Sequence, residues 1–500
     1  MKSKGASYRS TSVASGNRQG RDWSVPPDMR QLFYGRVLFA GAALTTMGWS
    51  ADIVREPGDI FQQQCANCHD GGRALRLQDG TYKHGKDDAS ITRSIHDGYA
   101  DTGMPAFGAT LTPREIRSLV VLLHERMANH VTPVTNLPID PKAVRHSELQ
   151  DYRIETVVDQ GLEVPWSLVF LPDDRILLTE RKGQLRIIDH GHLVEQPLAG
   201  VPKVIEAGEG GLMSLALDPH YDKNGWIYMA FSDPGVGDTA MTKIVRGKLR
   251  DNRFTDIETV FSIPVANYQH GYMGFGCRME FSGGYLYFSV GDRGIDEEAQ
   301  KLDVANGKIH RVFPDGKTPP DNPFVKQAGA VGSIWSYGHR NPQGLAFNPK
   351  TQELWESEHG PRGGDELNYI EASKNYGWPA ITYGINYDGT AVSDKTAEEG
   401  MEQPILYWTP SIATSQIAFY TGSRFTKWKN NLFLGSLAQQ RFIRFEVDGR
   451  KIVHEEEIFR NLGRVRDIKT GPDGLIYVAL EQIGMQSGRL VRLVPVEKSE

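Results

Sequence analysis

The chain has no excess of positive charge. Its 56 Lys and Arg residues face 62 Asp and Glu, a net charge of −6, so nothing in the balance points to a nucleic-acid partner. Long apolar runs are scarce too: one stands near the N-terminus, and no second segment of spanning length follows it, so the mature chain is expected to be soluble with no stable membrane span. Cysteine is rarer still. There are three, and two of them, Cys65 and Cys68, stand close together as a first functional clue. What the chain does have is length and glycine. Its 500 residues exclude a single small binding domain, and 53 glycines with 27 prolines describe a turn-rich globular chain rather than disorder or collagen.

The one apolar run, Val37 to Met47, follows Arg30 and Arg36 and precedes Gly48-Trp49-Ser50-Ala51. That is the order of a secretory signal: basic stretch, apolar stretch, small residues for cleavage. Residues 1–51 are therefore read as an export signal, with Met29 as an alternative start, and the protein is expected to be periplasmic or otherwise exported. An uncleaved anchor or a buried helix is the competing reading.

Residues 65–69 read Cys65-Ala66-Asn67-Cys68-His69. In a C-x-x-C-H run, two thiols one helical turn apart form thioethers to the haem vinyl groups, and the adjacent histidine meets the iron. A thioredoxin-like pair would want a βαβ context, and a zinc half-site would want a second cysteine pair; the sequence offers neither. His69 is the expected proximal ligand of a covalent haem c. Met104, between Gly103 and Pro105, is the best candidate for the sixth ligand, with His84 and His96 as rivals. Thr112-Pro113-Arg114-Glu115 then supplies an N-cap, a proline at the first helical position and a reciprocal glutamate. Ile116, Leu119, Val120 and Leu123 follow at helical spacing, which predicts a closing helix to about residue 129. Residues 54–129 resemble a small class I cytochrome c, an all-α domain that carries single electrons; we bound it at residues 52–130.

Pro133, Pro138 and Pro141 mark residues 131–152 as a linker. Beyond it, over residues 153–500, short β-rich runs recur between Asp/Gly/Pro turns. Six units open alike, at Trp166, Leu212, Arg278, Gln343, Gln416 and Val465. Repeated small antiparallel sheets predict an all-β six-bladed propeller with its loops gathered around a central mouth.

Several segments of that array resemble the soluble quinoprotein aldose and glucose dehydrogenases, which use pyrroloquinoline quinone (PQQ) and calcium. They are Val164-Pro165-Trp166, Gly291-Asp292-Arg293-Gly294, Gly338-His339-Arg340-Asn341-Pro342-Gln343-Gly344, the run from Glu358-His359-Gly360-Pro361 to Asn368, Asn375-Tyr376-Gly377-Trp378-Pro379 and Tyr407-Trp408-Thr409-Pro410-Ser411. PQQ carries three carboxylates on a flat ortho-quinone, so its pocket needs guanidinium forks and planar hydrogen-bonding groups. The resemblance implies that Arg340, Asn341, Arg464 and Arg466 supply them; any one arginine alone would read as a surface ion pair. It also implies a calcium on the carbonyls of Gly360 and Pro361, and a second held by the Glu366 side chain and the Tyr376 carbonyl. Trp408 is either a residue against the cofactor plane or a core tryptophan.

Three positions depart from that pattern. The family's general base, a histidine four residues before an arginine, falls at Gly274. Its glutamine beside the quinone is Glu209, and a lysine near the quinone is Ala438. Glycine cannot accept a proton, and His270, four residues upstream in the same glycine-rich loop, is the substitute the sequence offers, against a surface or packing role. Cys277 beside it reads as a core residue rather than a redox thiol. The leading expectation is an exported quinohaemoprotein that oxidises an aldose or related alcohol and passes electrons through haem c to an external acceptor, a soluble redox protein or the respiratory chain. The alternative is a propeller without catalysis that serves as a docking platform for the cytochrome. A calcium-propeller hydrolase is a third reading, which the haem fusion opposes.

Overall fold

In the computed structural model, residues 55–131, 134–484 and 487–496 are described; the expected export signal lies outside them. Four helices come first: α1 (Pro57–Gln64), α2 (Ala66–His69), α3 (Asp88–Asp97) and α4 (Pro113–Val131). The N-terminus of α4 closes as a capping box. The Thr112 amide donates to Glu115 Oε2 at 2.9 Å and the Glu115 amide donates to Thr112 Oγ1 at 3.2 Å, so two otherwise unpaired donors are satisfied. Ile116, Leu119, Val120 and Leu123 of α4 pack against Ile60, Phe61, Ile91 and Ile95 in one buried cluster. Each such side chain contributes about 2 kcal/mol on removal from water, enough to hold a small helical module together. Among the described residues no helix is long and apolar enough to cross a membrane.

The remainder is a ring of six antiparallel sheets. Their first strands are Pro165–Phe170, Leu212–Leu217, Met279–Ser282, Pro342–Phe347, Thr414–Phe419 and Arg464–Thr470, which match the six unit openings. They run Val/Leu/Ile/Phe-rich because neighbouring first strands pack on each other along the ring and are covered on both faces. The ring closes through a strand the repeat pattern did not show. Tyr152–Leu162 precedes the first blade, yet pairs antiparallel with Ser487–Pro495 of the last, Ile154 facing Leu493. A segment from before the first blade and the last strand of the chain share one sheet, which ties the two ends of the ring together.

The expected linker is tacked to this ring. The Leu137 amide donates to the Asn461 carbonyl at 2.6 Å and the Glu148 amide to Glu456 Oε1 at 2.6 Å. The helical module also lies against the propeller, in one compact unit with it. The face of α4 opposite its apolar stripe makes the contact: Ser118 Oγ donates to the Gly389 carbonyl at 2.7 Å, Arg117 Nη1 to the Ser393 carbonyl at 2.9 Å, and Arg114 pairs with Asp394. Gly389 has φ +87°, and a Cβ there would stand 2.4 Å from Pro57 Cδ. Only glycine lets α1 come this close.

Candidate active site and haem pocket

Cys65 ends α1 and α2 carries Cys68 and His69; the Cys68 and His69 amides both donate to the Cys65 carbonyl, a tight turn that puts the two sulfurs and the imidazole on one side. All three line a cavity of about 380 Å3 with Leu77, Ile91, Ile95, Phe107 and Leu123. His69 Nδ1 is 2.7 Å from the Leu75 carbonyl. That contact assigns the proton to Nδ1 and leaves Nε2 with its lone pair, the arrangement a metal-ligating histidine needs. Met104 lines the same cavity, held by a two-way backbone pairing with Tyr99 at 2.8 and 3.0 Å. Of its rivals, His84 lies flat on Tyr99 with ring centres 3.8 Å apart, and His96 faces away, 2.6 Å from Asp97 Oδ1. Burial pushes the Cys65 thiol up to about 11. Among the described residues the buried Tyr82 hydroxyl has no hydrogen-bond partner and is a donor for a polar edge of an occupant. Residues and cavity fit a haem that Cys65 and Cys68 would attach and that His69 and Met104 would ligate.

At one end of the propeller axis lies a second cavity, of about 240 Å3. Its walls come largely from irregularities in the first strands. The pairing register slips past Trp166, Met213, Gln343 and Arg466, and each of these residues lines the cavity. A bulge turns a side chain that would otherwise enter a blade core toward the mouth. Arg181 and Arg464 add two more guanidiniums. Arg466 is anchored to Glu481 at 2.7 Å from Nε, and Arg464 Nε stands 3.3 Å from the same carboxylate. Burial, reinforced by the neighbouring Arg466 charge, holds Arg464 down to about 10. Among the described residues Arg181 Nε is buried without a hydrogen-bond partner, and Arg464 Nε makes no hydrogen bond beyond its ion-pair contact with Glu481. A three-arginine wall with orphaned donors fits a flat polyanion of the PQQ type, and Arg181 is the cation the sequence reading missed when it found Ala438. The bulge geometry of Met213 and Gln343 was equally invisible there.

The other expected residues take distinct places. Asn341 is buried under the cavity, with Nδ2 3.0 Å from Glu209 Oε2 and Oδ1 accepting the Gly276 amide at 3.0 Å; Glu209 itself lies on the cavity rim. Arg340 Nη1 donates to the Gly360 carbonyl at 2.7 Å and the His359 carbonyl at 3.2 Å, so it braces the loop from behind. Gly360 and Pro361 line the cavity. The structure does not bring His270 to it: this side chain is 76% exposed on a two-residue strand, with Nδ1 2.6 Å from Asp238 Oδ1. Nor does Trp408 reach it, because its ring is buried in the fifth blade interface against Phe445. Cys277 is fully buried, 3.5 Å from Thr242 Oγ1, and burial pushes its thiol up to about 12, consistent with a core residue.

Behind Arg340, buried Glu356 and Glu358 and half-buried Glu366 converge on one amide. Asn368 Nδ2 is 3.1 to 3.2 Å from all three carboxylates, while among the described residues Asn368 Oδ1 and Glu356 Oε1 have no hydrogen-bond partner. Burial raises all three: Glu358 to about 8, with the Asp365 charge adding to it, and Glu356 and Glu366 well above their ordinary value, with the Glu358 charge adding to it. Glu366 and Tyr376 share a pocket there of about 10 Å3, room for one ion or water. This donor set of hard oxygens fits calcium. The Gly360 carbonyl fits it less well, because the Arg340 guanidinium already occupies it.

A six-bladed ring with an arginine-walled axial cavity, joined to a helical module whose Cys-Cys-His turn faces a haem-sized cavity, defines a quinoprotein sugar dehydrogenase propeller carrying a cytochrome c domain. The family model described as glucose/sorbosone dehydrogenase matches residues 162–492, more than half of the chain, and the chain belongs to that family. A second model, cytochrome c oxidase cbb3-type subunit III, matches residues 52–123. The aldose sugar dehydrogenase YliI of Escherichia coli K12 is 41% identical over 350 residues, 68% of this chain and 92% of that protein. The apo crystal structure of the E. coli soluble aldose sugar dehydrogenase superposes with a TM-score of 0.65 at 40% identity, covering 69% of this chain and 100% of that one. The PQQ-bound aldose sugar dehydrogenase of Streptomyces coelicolor gives 0.56 at 26% identity, over 72% and 100% of the two chains.

Proposed function

We propose that the protein is an exported, periplasmic quinohaemoprotein that oxidises an aldose or a related alcohol and passes the electrons through covalent haem c to an external acceptor, either a soluble redox protein or the respiratory chain. The observation that carries this reading is the pairing of the two cavities: the arginine-walled one shares the Gly360-Pro361 loop with Arg362, which grips α4, and α4 lines the haem cavity through Leu123. PQQ, when bound, supplies the two-electron acceptor chemistry that side chains lack. Arg181, Arg464 and Arg466 would hold its carboxylates, Trp166 and Met213 line the apolar wall, and Asn341 from beneath holds Glu209 at the rim. We assign calcium to the Glu366 and Tyr376 side, where its charge would favour the ionised forms of Glu356, Glu358 and Glu366. The Gly360 and Pro361 carbonyls would be further oxygen ligands beside the quinone, with Arg340 Nη1 now on the Gly360 carbonyl at 2.7 Å.

Protein reconstituted with PQQ and calcium should show its haem bands shift to the reduced form when an aldose is added. An unchanged haem spectrum across a broad panel of sugars and alcohols would overturn the reading. The rival, a docking platform without catalysis, draws on the bare Gly274. It predicts that the holoprotein takes up no stoichiometric PQQ.

A further inference from the structure

Gly274 has φ +62°, and a Cβ there would stand 2.5 Å from Asp292 Oδ1 and 2.8 Å from the Arg293 amide nitrogen. The backbone at this point therefore excludes any side chain without rearrangement, so the place that the resemblance gives to a histidine base is closed to every base. Its amide, however, points to an acid. Gly274 N–H donates to Glu209 Oε2 at 2.9 Å, and Asn341 Nδ2 donates to the same oxygen at 3.0 Å. Two donors fix one carboxylate oxygen beside the vacated position; among the described residues Oε1 has no hydrogen-bond partner. Glu209 is exposed at the cavity mouth, in reach of a ligand from solvent.

The other groups near this wall are less suited. The arginines cannot accept a proton. His359 donates from Nε2 to the Thr414 carbonyl at 2.7 Å, which leaves its lone pair on Nδ1, but a proton taken up there would make an imidazolium beside the Arg340 guanidinium, which contacts the His359 carbonyl at 3.2 Å. Asp292 lies behind Gly274, with Trp378 Nε1 at 3.0 Å on one oxygen and the Gly294 amide at 2.9 Å on the other. His270 is outside the cavity.

We propose that Glu209 is the general base of this enzyme, a catalytic residue that acts from the neighbouring loop because Gly274 carries no side chain. The assignment rests on the sugar-oxidising reading above. As the substrate's anomeric O–H bond breaks, the proton passes to a carboxylate oxygen of Glu209. The C–H hydrogen leaves with its electron pair to the bound ortho-quinone, and a C=O bond forms, so an aldose becomes a lactone. The proton then leaves Glu209 to water at the open mouth; the hydrogen taken up as hydride leaves the reduced quinone as a second proton, and its two electrons leave one at a time through the haem to the external acceptor.

The test compares PQQ-loaded wild type, Glu209→Gln, Glu209→Asp and His359→Gln, with an intact haem spectrum as the control for folding. Glu209→Gln is expected to lower kcat by about a hundredfold or more with KM little changed, the usual scale for a lost general base. It should also remove the fall in kcat on the acid side of the pH profile, and Glu209→Asp should restore part of both. PQQ affinity of the apoprotein, followed by fluorescence quenching, should be unchanged or tighter in Glu209→Gln, because a carboxylate facing a tri-anion has gone. Turnover within threefold of wild type, an acid limb that persists in Glu209→Gln but vanishes in His359→Gln, or a tenfold loss of PQQ affinity would each overturn the assignment. If wild type holding stoichiometric PQQ oxidises no sugar, the functional reading itself falls; if wild type and Glu209→Gln turn over alike, only the base assignment does.

Discussion

Arg362 and Glu125 form a two-pronged ion pair across 237 residues of sequence, with Nε to Oε1 at 2.8 Å and Nη2 to Oε2 at 2.7 Å. Arg362 follows Gly360 and Pro361 of the propeller cavity directly. Glu125 lies two residues beyond Leu123 of the haem cavity, on the same helix. Parallel N–H···O bonds fix angle as well as distance, so this pair holds the loop of one redox site against the helix of the other.

Arg362→Ala is therefore expected to slow sugar-driven haem reduction about tenfold, a difference of ~1.4 kcal/mol. Reduction of a small dye that takes electrons from the quinone directly should stay within about twofold of wild type. Stopped-flow absorbance separates the two rates. Exchanging the charges, with Arg362→Glu and Glu125→Arg together, should recover much of the loss; haem reduction at the wild-type rate in Arg362→Ala would show that the electrons leave elsewhere.

The carboxyl of Asp292 is raised from 3.8 to about 6, chiefly by burial, with Arg340 opposing. The folded state then holds the proton more tightly than the unfolded one, so this group's contribution is most favourable below about pH 4. It is lost as pH rises through 6. The stability of wild type minus that of Asp292→Asn should fall between pH 4 and 6 by at most about 3 kcal/mol, and be level above. Urea unfolding of the pair at four or five pH values measures it. A difference that rises across that window would contradict the burial argument.

Arg278 and Asp467 meet near the axis of the ring, 3.2 Å apart, at 2% and 0% exposure. Asp467 also accepts from Ser167 Oγ at 3.0 Å and the Leu168 amide at 2.8 Å, while Arg278 donates to the Gln343 carbonyl at 2.9 Å and stacks over Trp166. Four blades are joined by one pair of charges. Asp467→Ala strands the guanidinium and should cost about 3–5 kcal/mol, whereas replacing both partners with apolar residues of similar size should cost far less. Urea midpoints of the two variants decide it, and equal losses would refute the view that the stranded charge dominates.

Much of the architecture was legible because it is written locally. The capping box at Thr112 and Glu115, the apolar spacing of α4, the Cys65-Cys68-His69 turn and the six blade openings depend on neighbours within a few residues, and each has its expected form. The active site was legible only in part. Arg464 and Arg466 were recoverable from a motif, but Arg181 sits in an ordinary turn of the sequence. His270 looked close to Gly274 in sequence, yet a strand turns it outward to Asp238, and Trp408 faces a blade core.

By itself, then, the sequence determined the haem-binding turn, the helical module, the repeated sheets and the absence of a side chain at residue 274, because these follow from residue type and short-range spacing. Tertiary structure alone decided that Tyr152–Leu162 closes the last blade, that bulges turn Met213 and Gln343 into the cavity, that Arg362 reaches Glu125, and that Glu209 stands beside the bare Gly274. All four join residues tens to hundreds of positions apart. Propeller closure sets such proximities through the cumulative twist and packing of six sheets, a sum that no local stretch of chain contains.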